Sequence, residues 1–307
     1  MLVIDDIRRT PIDLPRVALT IGSFDGVHRG HRLILDTLIE AARRQNGTAA
    51  VIAMRPHPRQ FFSPQNAPNL LTCDAKKVAL FDEAGIDATL FLPFDAETAA
   101  LDPLVFIQNI LRDKCGAREV IVGHDCRFGK AAKGDFELLR REGTRCGFIA
   151  AEVPPLIVEG ERISSTRVRE LVIMGDLDGA EKFLGRKYSV VGQVSRGRGI
   201  GEKLGFPTAN IKPHHSAVPA NGVYIAEAIV RGVRLPAAVN IGIAPTIRHE
   251  DVTIEAHLLD FHEDIAGEEI EIVFHRRVRP EKKFPSYEAL IAQIAADVAE
   301  TRAYFPH

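Results

Sequence analysis

The 307-residue sequence has no cysteine pair at CxxC spacing and no apolar run near the roughly 18 residues that a bilayer span needs. Its four cysteines, Cys73, Cys115, Cys126 and Cys146, are scattered. That argues against a zinc site and a disulfide framework, and fits a reducing cytoplasm. The N-terminus, Met-Leu-Val-Ile-Asp-Asp, lacks a basic segment ahead of a greasy stretch, so no secretory signal is expected. Charge of one sign is lacking too. The net charge is −2; residues 186–307 carry 15 Lys+Arg against 15 Asp+Glu, and residues 1–185 carry 24 against 26. Proteins of duplex nucleic acid usually show a basic excess. Neither nucleic acid nor membrane is therefore expected as a partner, and a polyanion must be held by a local site. There is no internal repeat or low-complexity tract. What remains, 46% hydrophobic and 26% charged, is the balance of a soluble globular protein with one large or two ordinary domains.

The first part alternates strands and helices. Val17–Ile21 reads as a short apolar strand, and His31–Arg44 follows with Ile34, Leu35, Leu38, Ile39 and Ala42 at helical period. Further strands are expected near 50–53, 89–92, 119–122 and 148–151, with helices over 75–84, 103–111 and 135–145 between them. This alternation predicts an α/β, Rossmann-like domain with a parallel sheet covered on both faces. Two short helices, Ser165–Met174 and Asp178–Leu184, close it. After Gly185 the texture changes to short β-branched runs punctuated by Gly and Pro, at 188–194, 222–230, 235–241, 252–261 and 270–274. These predict an antiparallel sheet or small β-barrel, closed by one amphipathic C-terminal helix, Ser286–Tyr304, with Leu290, Ile291, Ile294 and Val298 on one side. The domains expected are 1–185 and 186–307.

Two stretches carry chemistry in the first half. Gly22-Ser-Phe-Asp-Gly-Val-His-Arg-Gly-His31 lies between the first strand and the first helix, where open α/β sheets bind ligands. A helix N-terminus there suits phosphate, and Gly22, Gly26 and Gly30 allow close backbone approach. His28 and His31, three apart, share a face. Taken alone, such a pair also reads as ligand-free loop histidines or as half of a metal site, but no third metal ligand stands at suitable spacing. Ile163-Ser-Ser-Thr-Arg-Val-Arg169 offers hydroxyls that suit a helix cap, while Arg167 and Arg169 oppose the helix dipole unless an anion sits there. Two nucleotide fingerprints fail. Gly199-Ile-Gly201 has no glycine three residues on, and the P-loop frame ending at Gly129-Lys130 has His124 and Ala131 at its required flanks.

Together the two stretches resemble the HxGH nucleotidyltransferase superfamily. With Arg55-Pro-His-Pro58 and Val122-Gly-His-Asp-Cys-Arg-Phe-Gly129, the N-terminal half is similar to the FMN adenylyltransferase domain of bacterial bifunctional riboflavin kinase/FAD synthetases. The C-terminal half resembles their kinase domain through Leu204-Gly-Phe-Pro-Thr-Ala-Asn210, Gly222-Val-Tyr224, Asn240-Ile-Gly242 and Thr253-Ile-Glu-Ala-His257. The resemblance implies that His28 and His31 bind ATP phosphates and stabilise charge during transfer. It implies that Ser164, Ser165, Thr166 and Arg167 grip the β- and γ-phosphates, and that Gly22, Phe24 and Asp25 shape the nucleotide site. His57, Phe62 and Asp125 fall on the flavin side. In the kinase half, Gly205, Pro207, Thr208 and Asn210 are implied to hold ATP, and Thr208 and Asn210 to ligate Mg²⁺. Glu255 is implied as the base toward riboflavin, and 195–205 as a flap over the nucleotide. The substrates and products implied are ATP, riboflavin, FMN and FAD.

Read without the resemblance, Pro207–Asn210 are ordinary loop polar residues, Glu255 sits on a solvated strand face, and 195–205 is a surface hairpin. Several positions depart from the family pattern. Cys126 stands for a Phe, Lys187 for a Pro, Glu202 for a flap Arg and Ala244 for an Arg, and Asp264-Ile-Ala-Gly267 lacks a Tyr. The concentration of departures in the second half leaves open a second expectation, an adenylyltransferase whose C-terminal domain is a weakly active flavin-binding module.

Overall fold

The computed structural model describes residues 1–197, 200–215, 217–245 and 250–305. Chain contacts divide it into two compact units, Met1–Pro68 with Asp74–Ser164, and Asn69–Cys73 with Ser165–His307.

The first unit is built on a parallel sheet of β1 (Leu2–Ile4), β2 (Val17–Gly22), β3 (Ala49–Arg55), β4 (Ala88–Pro93), β5 (Ala117–Gly123) and β6 (Ile149–Val153), in the order β1-β4-β3-β2-β5-β6. Successive side chains of a strand point to opposite faces, and here both faces are apolar. Leu19, Ile52, Leu90 and Val122 pack with Phe106, Ile107 and Leu139 on one side. Ala18, Val51 and Ile121 pack with Leu35, Leu38 and Phe81 on the other. Each such buried Leu, Ile or Phe contributes about 1.5–3 kcal/mol. The helix Arg29–Arg44 has no acidic residue in its first turn and Arg43 and Arg44 in its last, where they complement its dipole. The chain runs outward from β2 through β3 and β4, then restarts on the other side at β5. The order reverses beside β2, which makes the crevice there the natural ligand position of the sheet. The sequence reading begins the sheet at Val17 and omits β1, a three-residue edge strand too short to show a period. It also omits the hairpin of β7 (Ile157–Val158) and β8 (Glu161–Arg162).

The second unit is a closed barrel of β9 (Ser189–Ser195), β10 (Ala209–Pro213), β11 (Gly222–Val230), β12 (Val233–Pro245), β13 (Glu250–Leu258) and β14 (Glu269–Arg279). Its order is β10-β13-β12-β11-β14-β9, antiparallel at every pairing. Val190, Ile211, Ala226, Val239, Ile254 and Ile272 fill the interior. The sequence reading gives five barrel strands; the sixth, β10, has one buried apolar residue, Ile211, and so no visible alternation. The C-terminal helix is Tyr287–Tyr304, capped by the Ser286 hydroxyl, which accepts from the Ala289 N–H at 3.2 Å. Of its expected apolar face, Leu290, Ile294 and Val298 are half-buried and one position needs correction. Ile291 is exposed, and the deeply buried positions are Asp297 and Thr301. Asp297 accepts from Nη2 of Arg279 at 2.7 Å and from Nε2 of Gln293 at 2.9 Å.

The chain visits this unit early. Leu71 is fully buried in it, the Tyr188 hydroxyl donates to the carbonyl of Ala217 at 2.5 Å, and the Ala217 N–H donates to the Leu70 carbonyl at 3.0 Å. Arg169, read from sequence as a cation awaiting an anion, donates from Nε to the Asn69 carbonyl at 2.6 Å.

Removing one partner of a buried ion pair leaves the other uncompensated. Asp297→Ala is therefore expected to cost about 3 kcal/mol of stability. Urea denaturation followed by far-ultraviolet circular dichroism checks this; a loss indistinguishable from a surface substitution would contradict the buried pair.

Candidate functional site

β2 hands the chain at Gly22 to a turn in which Phe24, Gly26 and Val27 all take positive φ, at 48°, 84° and 38°. For Phe and Val that conformation costs about 1–2 kcal/mol. It folds the Phe24 ring back over Gly22, where a Cβ would lie 2.9 Å from the ring, and sets it edge-on to Phe81 at 5.5 Å. Phe24 and Asp25 are buried. The helix Arg29–Arg44 then starts with His28 as its cap, and Nδ1 of His28 accepts from the His31 N–H at 3.2 Å. An accepting Nδ1 puts the proton on Nε2, so that nitrogen is a donor. The two imidazoles lie flat on one another, 3.6 Å between centroids and 13° apart in plane, with Phe24 tilted against His31 at 5.1 Å. Gly30 makes room, since a Cβ there would meet the His28 ring at 3.2 Å. Two stacked imidazoles thus stand at a helix N-terminus in the crevice beside β2, a position chemically suited to an anion.

The neighbouring strand ends supply the other expected residues of this unit. His57, after β3, caps the helix Pro58–Phe62 by accepting from the Arg59 N–H at 3.1 Å. Phe62 is 62% exposed, and with Phe61 and with Phe94, which follows β4, it makes a cluster of three rings at 5.3–5.8 Å. The sequence reading names Phe62 and misses its two companions; the Phe-Phe pair after a strand end and an aromatic directly after Pro93 were the available signals. Asp125, after β5, is exposed and pairs with Arg162 at 2.5 Å. His124 beside it keeps Nε2 buried with no partner among the described residues. Ser164 ends the first unit. Ser165, Thr166 and Arg167 open the helix Ser165–Met174, which goes with the second unit by contacts. There Arg167 reaches Glu170 at 3.4 Å.

In the barrel, a pocket of about 380 Å³ opens beside the start of β10. Pro207, Thr208 and Asn210 line it, together with Arg196, Gly197 and Glu202 and with Glu263, Asp264 and Ala266. His257 donates from Nδ1 to the Pro207 carbonyl at 2.8 Å, which ties that turn to β13. The flap glycines press on the two polar side chains. A Cβ at Gly197 would fall 2.2 Å from Nδ2 of Asn210, and one at Gly201 would fall 3.0 Å from Oγ1 of Thr208. Of the expected flap 195–205, residues 198 and 199 lie outside the described residues. Gly205, with φ at 84°, turns the chain beyond the pocket lining. Glu255 is not in the pocket wall. Register sets it directly between Asn210 of β10 and Asn240 of β12, on the strand face opposite the buried Ile254 and Ala256. The barrel thus brings Thr208, Asn210 and Glu255 to adjoining positions. Asn240, from the Asn240-Ile-Gly242 stretch, completes the row.

Among the described residues no group of three or more His, Cys, Asp or Glu is placed to hold a metal, and no helix is long and apolar enough to cross a membrane. Two family models match, FAD synthetase over residues 11–167 and riboflavin kinase over 184–305. Bifunctional riboflavin kinase/FMN adenylyltransferases resemble the chain along most of its length. That of Pseudomonas fluorescens is 39% identical over 92% of this chain and 91% of its own. That of Escherichia coli K12 is 38% identical over 94% and 92%, and that of Haemophilus influenzae 36% over 94% of each. A crystal structure from Streptococcus pneumoniae, described as a macrolide-efflux protein, superposes with a TM-score of 0.86 at 27% identity over 98% of both chains.

Cys126, the departure next to Asp125, is half-buried against core side chains, and desolvation pushes its thiol up to about 12, as it does for the buried Cys115. At pH 8 such a thiol is ionised to about one part in 10⁴. Ellman's reagent is therefore expected to spare Cys115 and Cys126 in the native protein and to titrate all four cysteines after unfolding. Fast native labelling of Cys126, read by peptide mass spectrometry, would contradict its burial.

Proposed function

The chain belongs to the bifunctional riboflavin kinase/FMN adenylyltransferase family, and we propose that its two reactions are divided between the two sites above, adenylyl transfer in residues 1–185 and phosphoryl transfer in 186–307. The enzyme phosphorylates riboflavin to FMN with ATP and adenylylates FMN to FAD, releasing pyrophosphate. The observation that carries the assignment is the stacked His28–His31 pair at the helix N-terminus beside the central strand. The separate matches at 11–167 and 184–305 support the partition. A riboflavin kinase match spanning the second half also disfavours a merely flavin-binding module there.

For adenylyl transfer, an FMN phosphate oxygen attacks the α-phosphorus of ATP, and the bond to the bridging oxygen of the β-phosphate breaks. No covalent enzyme intermediate is needed; the protein supplies position and charge. In this reading Nε2–H of His28, together with His31, donates to the oxygens on which charge develops. Ser164, Ser165, Thr166 and Arg167 hold the β- and γ-phosphates, while Gly22, Phe24 and Asp25 shape the turn. His57, Phe62 and Asp125 face the flavin, for which the exposed Phe62 ring offers an apolar surface.

For phosphoryl transfer, Glu255 takes the proton of the riboflavin 5′-hydroxyl as its oxygen attacks the γ-phosphorus, and ADP leaves. Gly205 and Pro207 set the turn that presents Thr208 and Asn210. Their side-chain oxygens are hard donors, at a place where the flap glycines leave no room for a Cβ, and this fits Mg²⁺. Mg²⁺ bound there with ATP would neutralise phosphate charge. The scattered cysteines and balanced charge favour a cytoplasmic enzyme of small-molecule substrates, without nucleic acid or membrane partners.

His31→Ala is expected to lower FAD formation from FMN about 10²–10³-fold, the size of a lost transition-state donor, while riboflavin phosphorylation stays near wild type. Glu255→Gln should do the reverse, lowering phosphorylation about 10²–10⁴-fold. Initial rates by chromatographic separation of riboflavin, FMN and FAD decide both; equal loss in the two reactions for either variant would overturn the partition.

A further inference from the structure

The turn joining β11 to β12 has two central residues, Arg231 and Gly232, both at positive φ, 50° and 82°. Such a turn prefers Asn, Asp or Gly at its first central position, because a Cβ is strained there. Arginine is a poor choice for the turn itself. An outlier held against local preference is a reason to ask what its side chain does.

The guanidinium of Arg231 reaches two carboxylates. Nη1 donates to Glu263 at 2.6 Å, Nε donates to Glu268 at 2.9 Å, and Nη2 donates to the other oxygen of Glu268. It holds the Glu268 carboxyl below the usual carboxylate range. These two acids bracket Glu263–Ala266, one wall of the barrel pocket. Backbone bonds anchor the wall beyond Glu263–Ala266, where the Gly267 N–H donates to Val194 and the Val194 N–H to Glu268, both at 2.8 Å. Arg302 pairs with Asp260 ahead of it at 2.6 Å. Within the wall, Asp264 faces Arg196 of the flap at 3.3 Å. Arg231 is thus the side chain that spans the wall from one end to the other, from outside the pocket.

From this geometry we infer that Arg231 is a positioning residue for the nucleotide of the kinase reaction. By tying Glu263 to Glu268 it fixes the Glu263–Ala266 wall of the pocket that Thr208 and Asn210 also line, and so sets the width of the pocket that takes ATP. The inference rests on the reading of that pocket as the kinase nucleotide site. It needs no contact between Arg231 and ATP, and it assigns Arg231 no part in the bond-making step.

The turn preference gives the test its control. Arg231→Asn suits the backbone better and removes the clamp, so folding should be as stable as wild type or more so. The Michaelis constant for ATP in riboflavin phosphorylation should rise about three- to tenfold. The constant for riboflavin and the rate of FAD formation from supplied FMN should hold. Arg231→Lys should recover part of the loss, and the double variant Glu263→Gln/Glu268→Gln should reproduce it. An unchanged constant for ATP in Arg231→Asn, while Thr208→Ala suppresses phosphorylation, would overturn the role of Arg231 and leave the site reading standing. If Thr208→Ala too left phosphorylation untouched, both would fall. A lowered melting temperature with no change specific to ATP would mark Arg231 as structural and also overturn the inference.

Discussion

One hydrogen bond, from the His31 N–H to the His28 ring, organises the turn at the head of the first long helix. It starts the helix at Arg29, fixes which nitrogen of His28 carries the proton, and lays the two rings together. Gly30 leaves the His28 ring room beside the helix, and Phe24, placed by the strained turn, packs tilted against His31. The sheet order then matters. With β2 flanked by β3 and β5, the capped end stands where the connections diverge, and the remaining residues gather on neighbouring strand ends. Local backbone strain, a helix cap and sheet topology are successive causes of one arrangement.

The second half obeys a different constraint. A closed barrel must pair every strand on both edges, so β10 is recruited though it carries little apolar surface. Pairing it with β13 sets Asn210 against Glu255, whatever the intervening loops do. Residues 186–307 carry as many acidic as basic side chains and so set up no long-range field of one sign. The charges lining the barrel pocket are mixed too, Arg196 with Glu202, Glu263 and Asp264.

Much of this was legible in the sequence, for physical reasons. Strands buried on both faces write long apolar runs, which is why the parallel sheet could be read from Val17 onward. The motif around His28 and His31 could be located, because glycines between a strand and a helix are rare enough to stand out. Their stacking could not, since it depends on the ring torsions of Phe24 and His28. β10 was hidden by its single buried residue. That Asp297 joins the inner face of the last helix was hidden, because a charged residue is buried there by a partner 18 positions earlier, Arg279. Phe61 and Phe94 escaped notice because they come from different strand ends and meet only in the folded sheet. Arg231 belongs to no motif.

The early visit of Asn69–Cys73 to the second unit bears on how the protein emerges from the ribosome. Leu71 is synthesised well ahead of Arg169, Tyr188 and Ala217, the groups that later enclose this five-residue stretch. Domains tend to fold in order as the chain lengthens. Here the first can close its sheet only by holding out a loop whose greasy tip has no home until the barrel is made. Birth order and burial order differ, and the nascent chain carries that mismatch from Leu71 to the last barrel strand at Arg279, about two hundred residues of translation.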